Sequence, residues 1–465
     1  MRSPATRITL DEWDRRYGEL RAAGLQEPDY GGPLRRHVEA GDVRLLKLRL
    51  DNSAAALRLW NFLLTEEDRL RQARARGQRI VGTMKDLGTV PVMAFSFDNL
   101  VAFYPDGAWW IPCVMERQSD VLQVCDSLGI DDSFCPVRAL LGAFVTADHF
   151  PLPDLLTCSV GATCDDLSAI AQRLESLGHP ILWWEIPHRR PPEPEEAAVT
   201  LPGGFRAPQE QVDFVRGELQ RVRRGLEACA GRTLGDDELS AGIARANRVR
   251  HRLGQLRERV FRSPRASLPA LEMLIAEMLA LHFCSDPNET IAVLDDLIEE
   301  ACRREGEGDG VLSAEAVRVF WVNPVADLRV MNLLEDVGGR VSGTEYLFAH
   351  ALDPIPTDVP PMEALAQIAL ADPMVGSAAD RAERICADIR RFAAEAVVIS
   401  RIPGASHCAM EGTVIGQILH QRLGLPVLDI EVPPISDALE PGLRTRLEAL
   451  LETARERRHY DLRRN

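Results

Sequence analysis

The sequence predicts an α/β protein with two doubly wound, Rossmann-like parallel-sheet domains, a helical N-terminal arm and a helical inter-domain segment. Three observations carry that expectation. Short β-branched or apolar runs alternate with helix-period segments across residues 79–190, and the same alternation restarts across 312–460. Between them, residues 205–305 hold helical periodicity throughout. Ahead of both, residues 1–78 mix apolar and charged positions at helical spacing, as in Leu46, Leu50, Ala54, Leu57 and Leu64.

Each element follows from its local pattern. In the first α/β stretch, strands are expected at Arg79–Gly82, Pro91–Phe95, Ala108–Ile111, Leu155–Cys158 and Pro180–Ile186. Helices are expected at Ser96–Phe103, Cys135–Phe144 and Asp165–Leu177. The Pro- and charge-rich run Pro187–Pro194, with Leu201–Gly204, reads as an exposed linker. Three amphipathic helices then follow, with Pro264 separating two of them. The stripe of Met273, Leu274, Met278 and Leu281 reads as helix packing. In the last region Ala316–Pro324 is a strand entering a loop, and helix, strand and helix lead on to Val397–Ser400. A loop, a helix through His420 and a strand from Pro426 to Ile430 complete the chain's clearest β-loop-α-β unit.

Composition narrows the function. The chain has 465 residues, 46% hydrophobic and 27% charged, enough for two or three packed domains. With 54 basic and 70 acidic residues the formal charge is −16, which argues against nucleic acid or an anionic membrane as partner. No apolar run is long enough to span a bilayer, and the N-terminus lacks the apolar core of a signal peptide. A cytoplasmic location is expected, in which the ten cysteines should not form a disulfide framework.

Three cysteine loops carry the chemical reading. Cys135 directly precedes Pro136 at a helix start. Cys164 follows a strand and a small-residue loop, ahead of a helix capped by Asp165. Cys408 lies in Gly404–Glu411, again between a strand and a helix. Strand ends beside helix N-termini are where open parallel sheets build sites, and the amides there favour thiolates. No zinc-ribbon or C-x-x-C spacing is present. Soft thiolates suit an iron–sulfur cluster, and the alternative is three buried thiols packed in tight loops.

The chain resembles the 2-hydroxyacyl-CoA dehydratase family, which includes benzoyl-CoA reductase subunits and double-cubane iron–sulfur proteins. The residues that carry the resemblance run in order through about residues 75–460. Cys135-Pro136-Val137-Arg138 with Gly142 is similar to the family's cysteine–proline helix start. Thr163-Cys164-Asp165 is similar to its T-C-D motif, and Asp372-Pro373-Met374 with Ser377 and Arg381 to its D-P-M segment. Cys408, Glu411, Gly424-Leu425-Pro426, Ile430-Glu431, Asp437 and Leu443–Glu452 match its C-terminal pattern. The chain departs in lacking a cysteine before the first domain's V-P-E-E-L-type helix; the equivalent stretch is Val92–Phe103. Glu345-Tyr346-Leu347 and Asp372-Pro373-Met374 stand where double-cubane members carry extra cysteines.

The resemblance implies a 4Fe-4S cluster on Cys135, Cys164 and Cys408, with Cys113 as a weaker substitute ligand. It implies a low-potential electron from a separate ATP-dependent activator protein, radical chemistry on an acyl-CoA thioester, and a second family subunit in a hetero- or homodimer. The alternative is a non-catalytic partner or scaffold subunit with a degenerate cluster site. No G-x-x-x-x-G-K-[ST] phosphate loop is present, which agrees with a separate activator.

His407 is a candidate ligand or proton donor and Glu411 a candidate hydrogen-bond donor if protonated, against a solvated histidine and a helix-capping carboxylate. His188-Arg189-Arg190 offers phosphate-binding geometry or a charged linker. Asp148 and His149 lie in the loop after the Cys135 helix. Cys135 and Cys408 are expected to converge in the cleft between the two α/β domains.

Overall fold

The computed structural model describes residues 4–25, 31–86, 88–105, 121–346, 352–433 and 437–464, with the side chains of 282, 407–409 and 461–464 left out. Two four-stranded parallel sheets organise it. The first contains β1 (Arg79–Met84), β2 (Leu100–Phe103), β3 (Leu155–Gly161) and β4 (Ile181–Ile186), in the order β2-β1-β3-β4. The second contains β5 (Val317–Val322), β6 (Gly339–Glu345), β7 (Ala396–Arg401) and β8 (Val427–Glu431), in the order β6-β5-β7-β8. Both sheets thus repeat one topology, reversing direction between their first and third strands. Helices cover both faces, so the central strands are buried almost end to end and read as near-continuous apolar runs.

One stretch corrects the expectation. Val90–Phe95 is a helix rather than a strand, and the following strand is Leu100–Phe103, where a helix is expected. All six residues of that helix are buried, so no polar face reveals its period. Its start is set instead by Pro91 in the first turn and by the Asp86 carboxylate. That carboxylate accepts the N–H groups of Gly88, Thr89 and Val90 at 3.1, 2.9 and 2.7 Å. Leu100–Phe103 becomes a strand by pairing with β1, from Arg79–Leu100 to Gly82–Phe103. The expected strand Ala108–Ile111 lies outside the described residues.

The run read as an exposed linker is partly docked. Arg189 is buried, donates to the carbonyls of Leu370 and Asp372 at 2.6 and 2.9 Å, and stacks over Phe205. A two-stranded ribbon, Ala198–Thr200 with Arg206–Pro208, then leads into the helices.

Helices Gln209–Ala230, Asp236–Arg262, Ala270–His282 and Pro287–Glu307 form the middle of the molecule. Val212, Val215, Leu219, Val222 and Leu226 of the first are all buried at helical spacing. Met273, Leu274, Met278 and Leu281 lie in the core, as helix packing requires. Buried arginines bind this segment to its neighbours. Arg304 forks onto Asp51 of the N-terminal arm at 2.6 and 2.9 Å, and Glu272 accepts the Asp51 N–H and the Trp60 indole N–H. Arg257 pairs with Glu277 and donates to Thr344 Oγ1 of β6 at 2.6 Å. Each pair is expensive to desolvate, and losing one partner would strand the other charge.

Glu335 also reaches this segment, accepting the Ala270 N–H at 2.7 Å with Arg7 at 3.1 Å; burial raises Glu272, reinforced by Asp51, and lifts Glu335 to about 7 despite Arg7. Folding therefore retains protons that the unfolded chain, with an ordinary carboxylate near 4.5, gives up. The stability contribution is complete below that value and is lost as pH rises through about 7, by at most about 1.4 kcal/mol per pH unit per proton. Urea midpoints should fall between pH 5.5 and 8, and Glu272→Gln, whose carbonyl can keep both accepted hydrogen bonds, should flatten that fall. A Glu272→Gln profile as steep as the parent's assigns the dependence elsewhere.

Candidate functional site at the paired strand ends

The topological reversal in each sheet opens a crevice beyond the strand ends, and the two crevices are built alike. The residue after the first strand, Lys85 in one domain and Asn323 in the other, has positive φ (58° and 69°). Such a conformation is uncommon for residues other than glycine and must be held by its surroundings. The fifth residue of the third strand does so in both. Ser159 Oγ donates to the Lys85 carbonyl at 2.5 Å, and Ser400 Oγ sits among the Val322, Asn323 and Pro324 carbonyls, nearest Pro324 at 2.8 Å. This pair of locks aims the first-strand loops into the crevices.

Cys135 is the N-cap of the turn Pro136–Arg138, which runs straight into helix Ala139–Thr146. Arg138 fixes the turn by donating to the Ile130 and Leu122 carbonyls and to Asp126 at 2.6 Å. Gly142 is required on the other side, because a Cβ there would lie 2.3 Å from the Val121 carbonyl oxygen. Cys164, not Asp165, is the N-cap of helix Asp165–Ser176, and it is half-buried. Its thiol faces the carboxylate of Asp166 at 3.9 Å. The neighbouring Thr163 hydroxyl is buried without a hydrogen-bond partner. Lys85 donates to Ser168 Oγ in the same helix at 3.0 Å; burial lowers its pKa, and the nearby Cys158 and Cys164 oppose that.

The Cys408 loop meets both of these turns. Asp166, through the same Oδ2, accepts the backbone N–H of Ser406 at 2.9 Å. Gly404, at φ 76°, packs directly on the Phe134–Cys135 peptide: a Cβ would fall 2.5 Å from the Phe134 carbonyl carbon. Ile402 and Ala405 join the apolar cluster that contains Cys135. Cys408 is the third residue of helix Ser406–Leu423, so the backbone brings all three cysteine turns, each at a helix start, to one place. The side chains of His407 and Cys408 lie outside the described ones, as does all of Cys113. Among the described residues, no three His, Cys, Asp or Glu side chains are grouped as a metal site. The eight cysteines with described side chains form no disulfide.

Glu411 does not cap its helix. It accepts Arg381 Nη1 at 2.8 Å, while Arg381, fully buried, forks onto Glu345 at 2.6 Å and reaches Asn323 Oδ1 at 2.6 Å. The network ties the Cys408 helix to the ends of β5 and β6. The motif around it is equally structural: Asp372 caps a short turn at Met374, and Ser377 caps helix Ala378–Phe392. Asp437 is gripped by Arg44, Lys47 and Arg329, which hold it far below the usual carboxylate range. Asp148 is exposed and His149 buried. Sequence reasoning names Thr163 only as part of the Thr163-Cys164-Asp165 motif and does not single out Lys85 or Asp166; for Lys85 its position at a strand end is the one signal.

Among the described residues, no helix is long and apolar enough to cross a membrane. No curated protein matches the chain at a significant level. The 2-hydroxyglutaryl-CoA dehydratase, D-component, family profile matches residues 105–454, well over half of the chain. That span holds the three converging cysteine turns, the Arg381 network and the Asp437 clamp. The chain belongs to the 2-hydroxyglutaryl-CoA dehydratase D-component family and is a dehydratase-type subunit.

Proposed function

We propose that the chain is the cluster-bearing subunit of an acyl-CoA dehydratase or reductase, with Cys135, Cys164 and Cys408 as ligands to a 4Fe-4S cluster. The observation that carries this reading is the meeting of three cysteine-bearing helix starts through Asp166 and Gly404. The residues fit such a group. Soft thiolate donors, helix N-termini and an unpartnered Thr163 hydroxyl suit an anionic sulfur-rich occupant. A bound cluster supplies one-electron reduction of the CoA thioester, the electron coming from a separate ATP-hydrolysing activator.

The protein's own residues have simpler tasks. Arg138 and Gly142 hold the Cys135 turn against its helix, and Asp166 fastens the Cys164 helix to the Cys408 loop. The apolar cluster of Ile402, Ala405 and Cys135 keeps water from one side. Arg381 and Glu411 fix the axial position of the Cys408 helix. A second family subunit completes the working enzyme in this reading.

Anaerobic reconstitution followed by iron and sulfide analysis tests the assignment. Cys135→Ser and Cys408→Ser should abolish iron binding, and Cys164→Ser should weaken it more than Cys113→Ser does. Iron lost in Cys113→Ser and kept in Cys164→Ser would reverse the third ligand. An unmodified chain that takes up no iron would leave the scaffold reading.

Gly404→Ala tests the backbone contact separately. Its strain and clash should cost at least about 1–3 kcal/mol and lower iron retention against a chelator. An unchanged melting temperature and iron content would show that the two turns do not need to touch.

A further inference from the structure

Among 54 basic residues in this chain only two are lysines, Lys47 and Lys85; all the others are arginine. Lys47 is exposed and pairs with Asp437. Lys85 is only 4% exposed, sits at a strand end in a left-handed backbone conformation, and has its carbonyl locked by Ser159. Where arginine serves nearly every structural ion pair, the buried Lys85 is the exception, a compact point charge in place of a planar fork. Its Nζ lies 3.0 Å from Ser168 Oγ, over the first turn of the helix that Cys164 caps. Lys85 and Thr163, whose hydroxyl is unpartnered, line the same small cavity, about 20 Å³, together with Asp86, Thr89 and Asp372. That is room for about one water.

We propose that Lys85 is a positioning cation of the cysteine site: a fixed ammonium beside the Cys164 turn that offsets negative charge gathered there and raises the reduction potential of the iron–sulfur group. The inference rests on the function proposed above for its redox consequence, but not for its geometry. Potentials of such groups follow net charge and the fields of nearby dipoles and hydrogen bonds, and a buried cation acts through low dielectric. The equivalent position in the second domain is the neutral Asn323, whose side chain is spent on Arg381 and on the Ser400 carbonyl. The cation beside Asn323 is Arg381, which is paired with Glu345 and Glu411, so the strand-end lysine is a feature of the first domain.

A structural role, holding Ser168, is separable from a charge role. Lys85→Gln can keep a hydrogen bond to Ser168 without the charge, and Lys85→Arg keeps charge with altered shape. In the anaerobically reconstituted protein, Lys85→Gln should bind iron at the parent level. Its midpoint potential should fall by at least the equivalent of a tenfold change in equilibrium, 59 mV for one electron. Lys85→Arg should recover most of that loss. A Lys85→Gln potential equal to the parent's overturns the proposal.

The iron-free protein gives an independent reading. With both lysines carrying ¹³C-methyl labels, and Lys47→Arg to assign them, Cys164→Ser should move the Lys85 resonance and leave that of Lys47 in place. An unmoved Lys85 resonance overturns the proposal whether or not the chain binds iron. A moved resonance in a chain that takes up no iron would sustain the Lys85–Cys164 juxtaposition while removing the cluster assignment.

Discussion

The site depends on a close approach of main chain to main chain. Gly404 lies flat on the Phe134–Cys135 peptide, and Asp166 reaches from the Cys164 helix to the Ser406 N–H. Those contacts tie the strand-end loops of the two sheets to one another. A side chain at 404 would separate the Cys408 loop from the Cys135 turn by the width of a methyl group. The positive φ of Gly404 and the absence of a Cβ serve the same end, since both allow a backbone to come within van der Waals reach of another.

Around that contact the fold uses arginine as its long-range connector. Arg304, Arg257 and Arg381 each sit in the interior with a carboxylate and at least one further oxygen acceptor. Arg304 joins the arm to the helices, Arg257 the helices to the second sheet, and Arg381 the second sheet to the Cys408 helix. Buried charge of this kind adds little net stability over an apolar core. Its effect is on alignment: a fork with two or three oxygens satisfied in fixed directions admits one register between the elements it joins.

Much of this was legible in the sequence and some was not, for identifiable reasons. The strands of both sheets are apolar runs bounded by turn residues, and β1, β3, β5 and β7 follow from composition. Residues 91–103 hide their elements because the helix is buried on every side and the strand after it is defined by pairing with β1 rather than by its own pattern. The three cysteine turns were legible as motifs at helix starts. Their meeting was not, because Asp166 stands 240 positions from the amide it accepts. Arg189 looked like solvent-facing linker charge, and its stacking on Phe205 and its carbonyl partners are purely tertiary. The matching locks on Lys85 and Asn323 are equally hidden, since each is made by a serine on a strand more than seventy residues away.

The contact at Gly404 has a mechanical consequence. A seam made of side chains can breathe by rotamer hops, opening a little at a time. A seam made of peptide planes has no rotamers and cannot leak by degrees. Separating the Cys135 turn from the Cys408 turn requires one whole loop, or the domain behind it, to swing away as a body while Asp166 releases its amide.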